Sequence, residues 1–439
     1  MQSVKPRRRL KPRHALAAGI ACLMVVSACG GASTGTGDGE SDQATLRFSW
    51  WGSDERQQMT QGLIDRFEEE HPDITVKAEF TGWDDYWDRL ATSTAGGNMP
   101  DIMQHESRYV REYSDRGALL DLSEYMPDVI DPSAFDESVL STGEVDGATY
   151  AIPTGVNAYS IVADPEIFEQ AGLDMPDDET WTWEDLISIA GEITANTPAD
   201  IHGVQDWGFV DAGFEAFARQ RGESLWDEDT ELGFSEETLT EWWNLLVEAR
   251  DSKATPRPSL TVETQAGGVD QSLVATNNGA MGFWWTNQLP TLSESSGRDL
   301  QLLRLPGESE NDQAGMFYKP AMFWAASART EHPEEAAVFI DWLLNAPEVA
   351  ELQLVDRGLP MNTDLREQIA DQVTPADQQA TEFMDEIAAD ISEPPALPPA
   401  GGGEVQTSLA QLHEQVLFDQ ITVDEAVQQF RSQAMAAVG

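Results

Sequence analysis

An α/β architecture built on a parallel sheet is the fold the sequence predicts. Three observations carry it: short runs in which apolar residues alternate with period two, longer runs with helical spacing between them, and glycine-containing breaks at the junctions. Leu46, Phe48 and Trp50 alternate with Thr45, Arg47 and Ser49 as a first strand, and Met59, Leu63 and Phe67 mark a helical face behind it. Ile74, Val76, Ala78 and Phe80 alternate again, Tyr86, Leu90 and Thr94 return to helical spacing, and Gly96-Gly97 stops that helix before a third strand opens at Asp101-Ile102-Met103. Strand, helix, strand, helix, strand in that order predicts parallel strands joined by right-handed crossovers.

Sheets of this kind bind their ligands at the carboxyl ends of the strands. Those ends carry Trp50-Trp51-Gly52, Thr81-Gly82-Trp83 and Gln104-His105-Glu106, so three separate loops deliver two tryptophans and a carboxylate to one rim. Trp50 is in phase with Leu46 and Phe48 and is expected in the core, which leaves Trp51 facing a ligand. The Pro/Gly-rich stretch from Glu393 to Gly403 interrupts a helical C-terminal region and is read as a surface connection.

The chain has 439 residues, 78 acids against 26 lysines and arginines, and a net charge of −52, which excludes a nucleic-acid binder. With 41% apolar residues it has enough core for two or three domains. Of its 37 aromatic residues 14 are tryptophan, an unusual share of flat, amphipathic rings. Six of the basic residues precede residue 14 and no acid occurs before Asp38, so the remainder carries −58. That acidity, with Lys77, Lys253 and Lys319 the only lysines after the leader, resembles adaptation to salt.

Residues 1–28 read as a separate export signal: a basic start, an apolar run from Ala15 to Val26, then Ser27 and Ala28. Arg7-Arg8-Arg9-Leu10-Lys11 is compatible with a twin-arginine route as well as with an ordinary basic leader. Val26-Ser27-Ala28-Cys29 resembles a bacterial lipobox, which implies lipidation of Cys29, cleavage before it and anchoring to the outer face of a membrane. Residues 29–43, rich in Gly, Ser and Thr, are then a flexible tether with a reach of about 20 Å. Cys22 lies in the leader, so one mature chain forms no internal disulfide.

A longer series of motifs resembles a known family. Trp50-Trp51-Gly52-Ser53-Asp54, Phe67-Glu68-Glu69-Glu70-His71-Pro72-Asp73-Ile74, Trp83-Asp84-Asp85-Tyr86-Trp87 and Pro100-Asp101-Ile102-Met103 are followed by Asp146-Gly147-Ala148-Thr149-Tyr150-Ala151-Ile152-Pro153 and Asp164-Pro165-Glu166-Ile167-Phe168. Phe283-Trp284-Trp285-Thr286-Asn287-Gln288, Tyr318-Lys319-Pro320 and Pro333-Glu334-Glu335-Ala336-Ala337 complete it. In this order they resemble the extracellular solute-binding proteins of carbohydrate ABC importers, from Ala44 to the C-terminus. The resemblance implies a two-lobe, type II periplasmic-binding-protein-like fold with a hinge of three crossover segments. One lobe is placed at 44–154 with 323–360, the other at 155–322 with 361–439, and the hinge near Thr154, Met322 and Met361. It also implies a monomer without cofactor that hands a sugar to membrane permease subunits, with ATP used by a separate subunit.

Sugar chemistry selects the candidate residues. A pyranose offers C–H faces to aromatic rings and hydroxyls to carboxylates and amides. Trp51, Trp83, Trp284 and Trp285 lie on or beside loops and suit either stacking or packing; Glu106, Asn157 and Asn287 suit either hydroxyl recognition or loop capping. Trp242, Trp243 and Trp342 fall in helical phase and belong to the core. The histidines are scattered and no Cys cluster exists, so zinc is not expected, and Asp227–Gly233 fails the spacing of a calcium loop. A secreted glycoside hydrolase or polysaccharide lyase is the alternative, since 78 acids place some carboxylate pairs close together in any fold.

Overall fold

The computed structural model describes residues 43–227, 231–310 and 313–438; the leader, Cys29 and nearly all of the tether lie outside them. The first unit follows the expected alternation: strand β1 (Ala44–Trp51), helix α1 (Asp54–Glu70), β2 (Ile74–Thr81), α2 (Trp83–Ala95), β3 (Ile102–His105) and α3 (Ser107–Asp115). The two crossovers leave β2 and β3 parallel to β1 on either side, with Ala44 opposite Ile74 and Phe48 opposite Ile102.

Local chemistry sets the boundaries of these elements. Ser53 caps α1 by accepting from the Arg56 amide at 3.2 Å, a first-turn donor that has no helical partner of its own. Gly96 ends α2, where the helical spacing stops. Leu46, Phe48 and Trp50 of β1 point to one face, where Phe48 meets Phe339 at 5.2 Å between ring centroids and Phe67 meets Phe339 at 4.6 Å. Trp51 is out of phase with them and lies on the opposite face, under α2.

The sheet is mixed rather than parallel throughout. Beyond β3 comes the antiparallel strand Tyr318–Ala326, then the long strand Ile152–Ala163, then Gly279–Trp285 and His202–Val204. The long strand has twelve residues, all buried; its first half pairs with Tyr318–Ala326 and its second half with Gly279–Trp285. It therefore joins two sheet halves built from different stretches of chain.

At the junction three segments converge. The Thr154 hydroxyl donates to the Met322 carbonyl at 3.2 Å or the Arg357 carbonyl at 3.0 Å, and the short strand Leu359–Pro360 pairs with Val156 and Gly155. Gly155 makes that convergence possible, because a Cβ there would sit 2.6 Å from the Leu359 carbonyl oxygen and 2.8 Å from that of Arg357. Arg357 itself is fully buried against Trp324.

Candidate ligand-binding cleft

A cleft opens beside this junction. Its walls come from Ser107 and Arg108 at the start of α3, Asp211 and Glu215 of the helix Asp211–Arg219, and Trp285 and Lys319 on the two strands that each pair with Ile152–Ala163. The last wall is a surprise. Pro394 to Pro398 and Gly402-Gly403 line the cleft, so the stretch read as a surface connection is instead part of its boundary. It has no hydrophobic period to announce this, but Leu397 and Pro399 are buried and Arg219 holds the Glu393 carbonyl and the Ser392 hydroxyl.

Of the residues expected from the sequence, Trp285 alone lines this cleft. Trp285 lines it, with the Lys319 ammonium 5.1 Å from its ring centroid and Tyr159 packed at 5.0 Å. Trp83, the first residue of α2, is 40% exposed and carries the Arg108 guanidinium 5.9 Å from its ring centroid. Beneath it Trp51 is only 7% exposed, held between Trp83 at 5.1 Å and Tyr86 at 4.9 Å, so the ring presented to solvent is that of Trp83 while Trp51 supports it. Asn157 is buried in the long strand directly opposite Lys319. Trp284 is half-buried with its indole N–H unpartnered, and Asn287 is exposed; neither lines the cleft.

Glu106 serves as the N-cap of α3. One carboxylate oxygen accepts from both the amide and the Nε of Arg108 at 2.9 Å, and the other accepts from the Ser107 hydroxyl at 3.3 Å. The carboxylate thus fixes Arg108 at the cleft edge, and its oxygens are already engaged.

Four groups of the cleft escaped sequence reasoning: Arg108, Asp211, Glu215 and Lys319. Lys319 had a signal, being one of three lysines after the leader and part of a quoted motif; the two acids had none among 78. Burial pushes the Asp211 carboxyl above its ordinary range, against the opposing pull of Lys319 and Arg108. Burial likewise pushes Glu215 up to about 7, although Arg219 lies 3.6 Å away and the Leu225 amide donates to it at 2.6 Å. The other Glu215 oxygen is buried without a hydrogen-bond partner among the described residues.

A raised carboxyl binds its proton more tightly folded than unfolded, so its contribution is present at low pH and is lost as pH climbs from about 4.5 to about 7. Glu215→Gln, which keeps the oxygen that accepts from Leu225, is expected to remove this decline. The stability difference between variant and parent should grow in the variant's favour across that window, by at most about 1.4 kcal/mol per pH unit. Urea denaturation at a series of pH values reads it; a difference independent of pH would show that Glu215 binds its proton equally well folded and unfolded.

Comparison with known proteins agrees with the fold and places the chain. The profile described as bacterial extracellular solute-binding protein matches residues 52–350. A Brucella abortus chain named as a binding protein is 30% identical over 129 residues, 29% of this chain and 30% of that one, so the match spans less than a third of that relative's length. A chain named as the periplasmic-binding protein of an ABC transporter in Escherichia coli K12 is 25% identical over 328 residues, 70% of each. An arabinooligosaccharide-binding protein of Halalkalibacterium halodurans is 26% identical over 166 residues, 36% of this chain and 37% of that one.

Among solved structures, a family 1 extracellular solute-binding protein of Alicyclobacillus acidocaldarius superposes with a TM-score of 0.75 at 26% identity, covering 90% of this chain and 98% of that one. A periplasmic oligogalacturonide-binding protein of Yersinia enterocolitica shares the fold at 24% identity, with a TM-score of 0.76, over 90% and 100% of the two chains. The architecture is that of periplasmic solute-binding proteins, and with two thirds of its length matched by the profile the chain belongs to the bacterial extracellular solute-binding protein family.

Proposed function

We propose that the protein is the substrate-binding lipoprotein of an ABC importer, holding a sugar or oligosaccharide between two lobes and delivering it to membrane permease subunits. The observation that carries the reading is the cleft itself: a ring face at Trp285 and polar groups at Arg108, Asp211, Glu215 and Lys319, in a member of a solute-binding family. Aromatic face plus hydroxyl-seeking groups is the combination a pyranose requires. The lobes are 44–154 with 323–360 and 155–322 with 361–439. The convergence of Thr154, Met322 and the Arg357–Pro360 segment supports a hinge there, since few residues at that point connect the two sheet halves. The sugar is carried, not converted, and the protein acts as a monomer without metal or nucleotide.

A ligand that touches both walls favours the closed arrangement and shifts the population toward it. Small-angle scattering should therefore give a smaller radius of gyration with a saturating sugar identified by thermal shift, and the sugar should be recovered intact. An unchanged profile at saturation would remove closure from the mechanism, and conversion of the sugar would replace binding by catalysis.

Anchoring rests on Cys29 behind Val26-Ser27-Ala28. Cys29→Ser is expected to shift the protein from the membrane fraction to the medium, or to leave the leader uncleaved by the lipoprotein pathway. A processed Ser variant that stays with the membrane would refute the lipid anchor.

A further inference from the structure

The cations of the cleft are placed in a repeated way. Arg108 sits over the exposed ring of Trp83, and Lys319 sits over the ring of Trp285. Arg108 already has its partner in Glu106 at 2.9 Å. Lys319 has none: among the described residues its half-buried ammonium forms no ion pair and no side-chain hydrogen bond, in a chain whose acids outnumber its bases threefold. The acids that share the cleft do not close the balance. Asp211 feels the Lys319 charge without forming an ion pair with it among the described residues, Glu215 pairs with Arg219, and burial moves both carboxyls toward their neutral forms.

We infer that the ligand of this cleft is a carboxylated sugar, a uronic acid or uronate oligosaccharide, whose ring lies on Trp285 and whose carboxylate meets Lys319. This deepens the sugar-binding reading and rests on it. A uronate carries its carboxylate on the edge of the pyranose ring. A uronate packed by its C–H groups against the part of the half-buried Trp285 ring that the ammonium leaves open therefore brings its carboxylate within reach of Lys319. Closing the cleft over a neutral sugar would take an ammonium without an ion-pair partner out of water, which is costly, whereas an incoming carboxylate supplies that partner. Arg108, held rigid by Glu106 beside Trp83, offers a planar fork for a second carboxylate on a longer oligomer.

Calorimetric titration of the purified protein tests this with oligomers of galacturonic, glucuronic and mannuronic acid and with their methyl esters. The esters keep ring and hydroxyls but lose the charge; neutral gluco-, galacto- and arabino-oligosaccharides complete the panel. At least one acid should bind about tenfold or more tighter than its own ester. Lys319→Met should erase that preference while still binding the ester, and Lys319→Arg should keep it. Equal affinity for acid and ester, or a preference that survives Lys319→Met, would overturn the assignment. Neutral oligosaccharides binding where no uronate does would overturn it too, while leaving the sugar-binding reading intact. Failure of every saccharide to bind a folded protein would overturn both.

Discussion

Replacing Arg357 by alanine is expected to destabilise the fold by about 3 to 5 kcal/mol. The guanidinium is fully buried and forms no ion pair among the described residues. It is held by neutral groups from three directions: Nε donates to Gln104 at 3.1 Å, one terminal nitrogen to Gln353 at 3.1 Å and the other to Thr60 at 2.8 Å, with Trp324 beneath at 5.1 Å. Truncation leaves a cavity the size of a long side chain and strands three buried polar groups. Its carbonyl also accepts from Thr154, so the loss falls where the two sheet halves join.

Arg357→Met separates volume from charge. Burial pushes this base down to about 9, so the folded form binds its proton less well than the unfolded chain does. The charge therefore costs stability at neutral pH, and the cost is relieved only above about pH 9. Methionine removes that cost while filling most of the space, so it should be clearly less damaging than alanine. Urea midpoints for the three proteins decide the matter: an alanine variant within about 1 kcal/mol of the parent would mean that the site collapses freely and the guanidinium ties nothing together.

Trp285→Ala is expected to weaken sugar binding about tenfold or more without unfolding the protein, because the half-buried ring lines the cleft at the margin of the core. Trp83→Ala, which removes the ring under the cleft-lining Arg108, should act in the same sense. The double variant should lose about a hundredfold if the two platforms act independently. Trp242→Ala is the contrast. That ring is wholly buried among Trp183, Trp207 and Phe217, at 5.8, 6.4 and 5.2 Å, and its loss should lower stability by about 3 to 5 kcal/mol. Calorimetry on variants with native circular dichroism separates the two cases; unchanged affinity in both rim variants would place the ligand elsewhere.

The sequence by itself determined the elements whose signal is local. Leu46, Phe48 and Trp50 alternate because one side of β1 packs on the core, and Met59, Leu63 and Phe67 recur at helical spacing because one side of α1 covers that strand. Such periods follow from backbone geometry and survive without knowledge of the partner. The order of the motifs likewise carried the family.

What only the tertiary structure decided depends on partners far away in the chain. Alternation placed Trp51 on the face opposite Trp50, but it took the packing of α2 to put Trp83 over it and turn a candidate platform into its support. The antiparallel strand Tyr318–Ala326 enters the sheet between β3 and Ile152–Ala163 from more than two hundred residues downstream of β3, and no local pattern encodes that insertion. Asp211 and Glu215 stand out from 78 acids only once burial has raised their affinity for protons, and Pro394–Pro398 becomes a wall only when Arg219 and the cleft lie against it. Period reports which side of an element is buried; charge environment and cleft shape arise from atoms close in space and distant in sequence, which is why the strands were legible and most of the cleft was not.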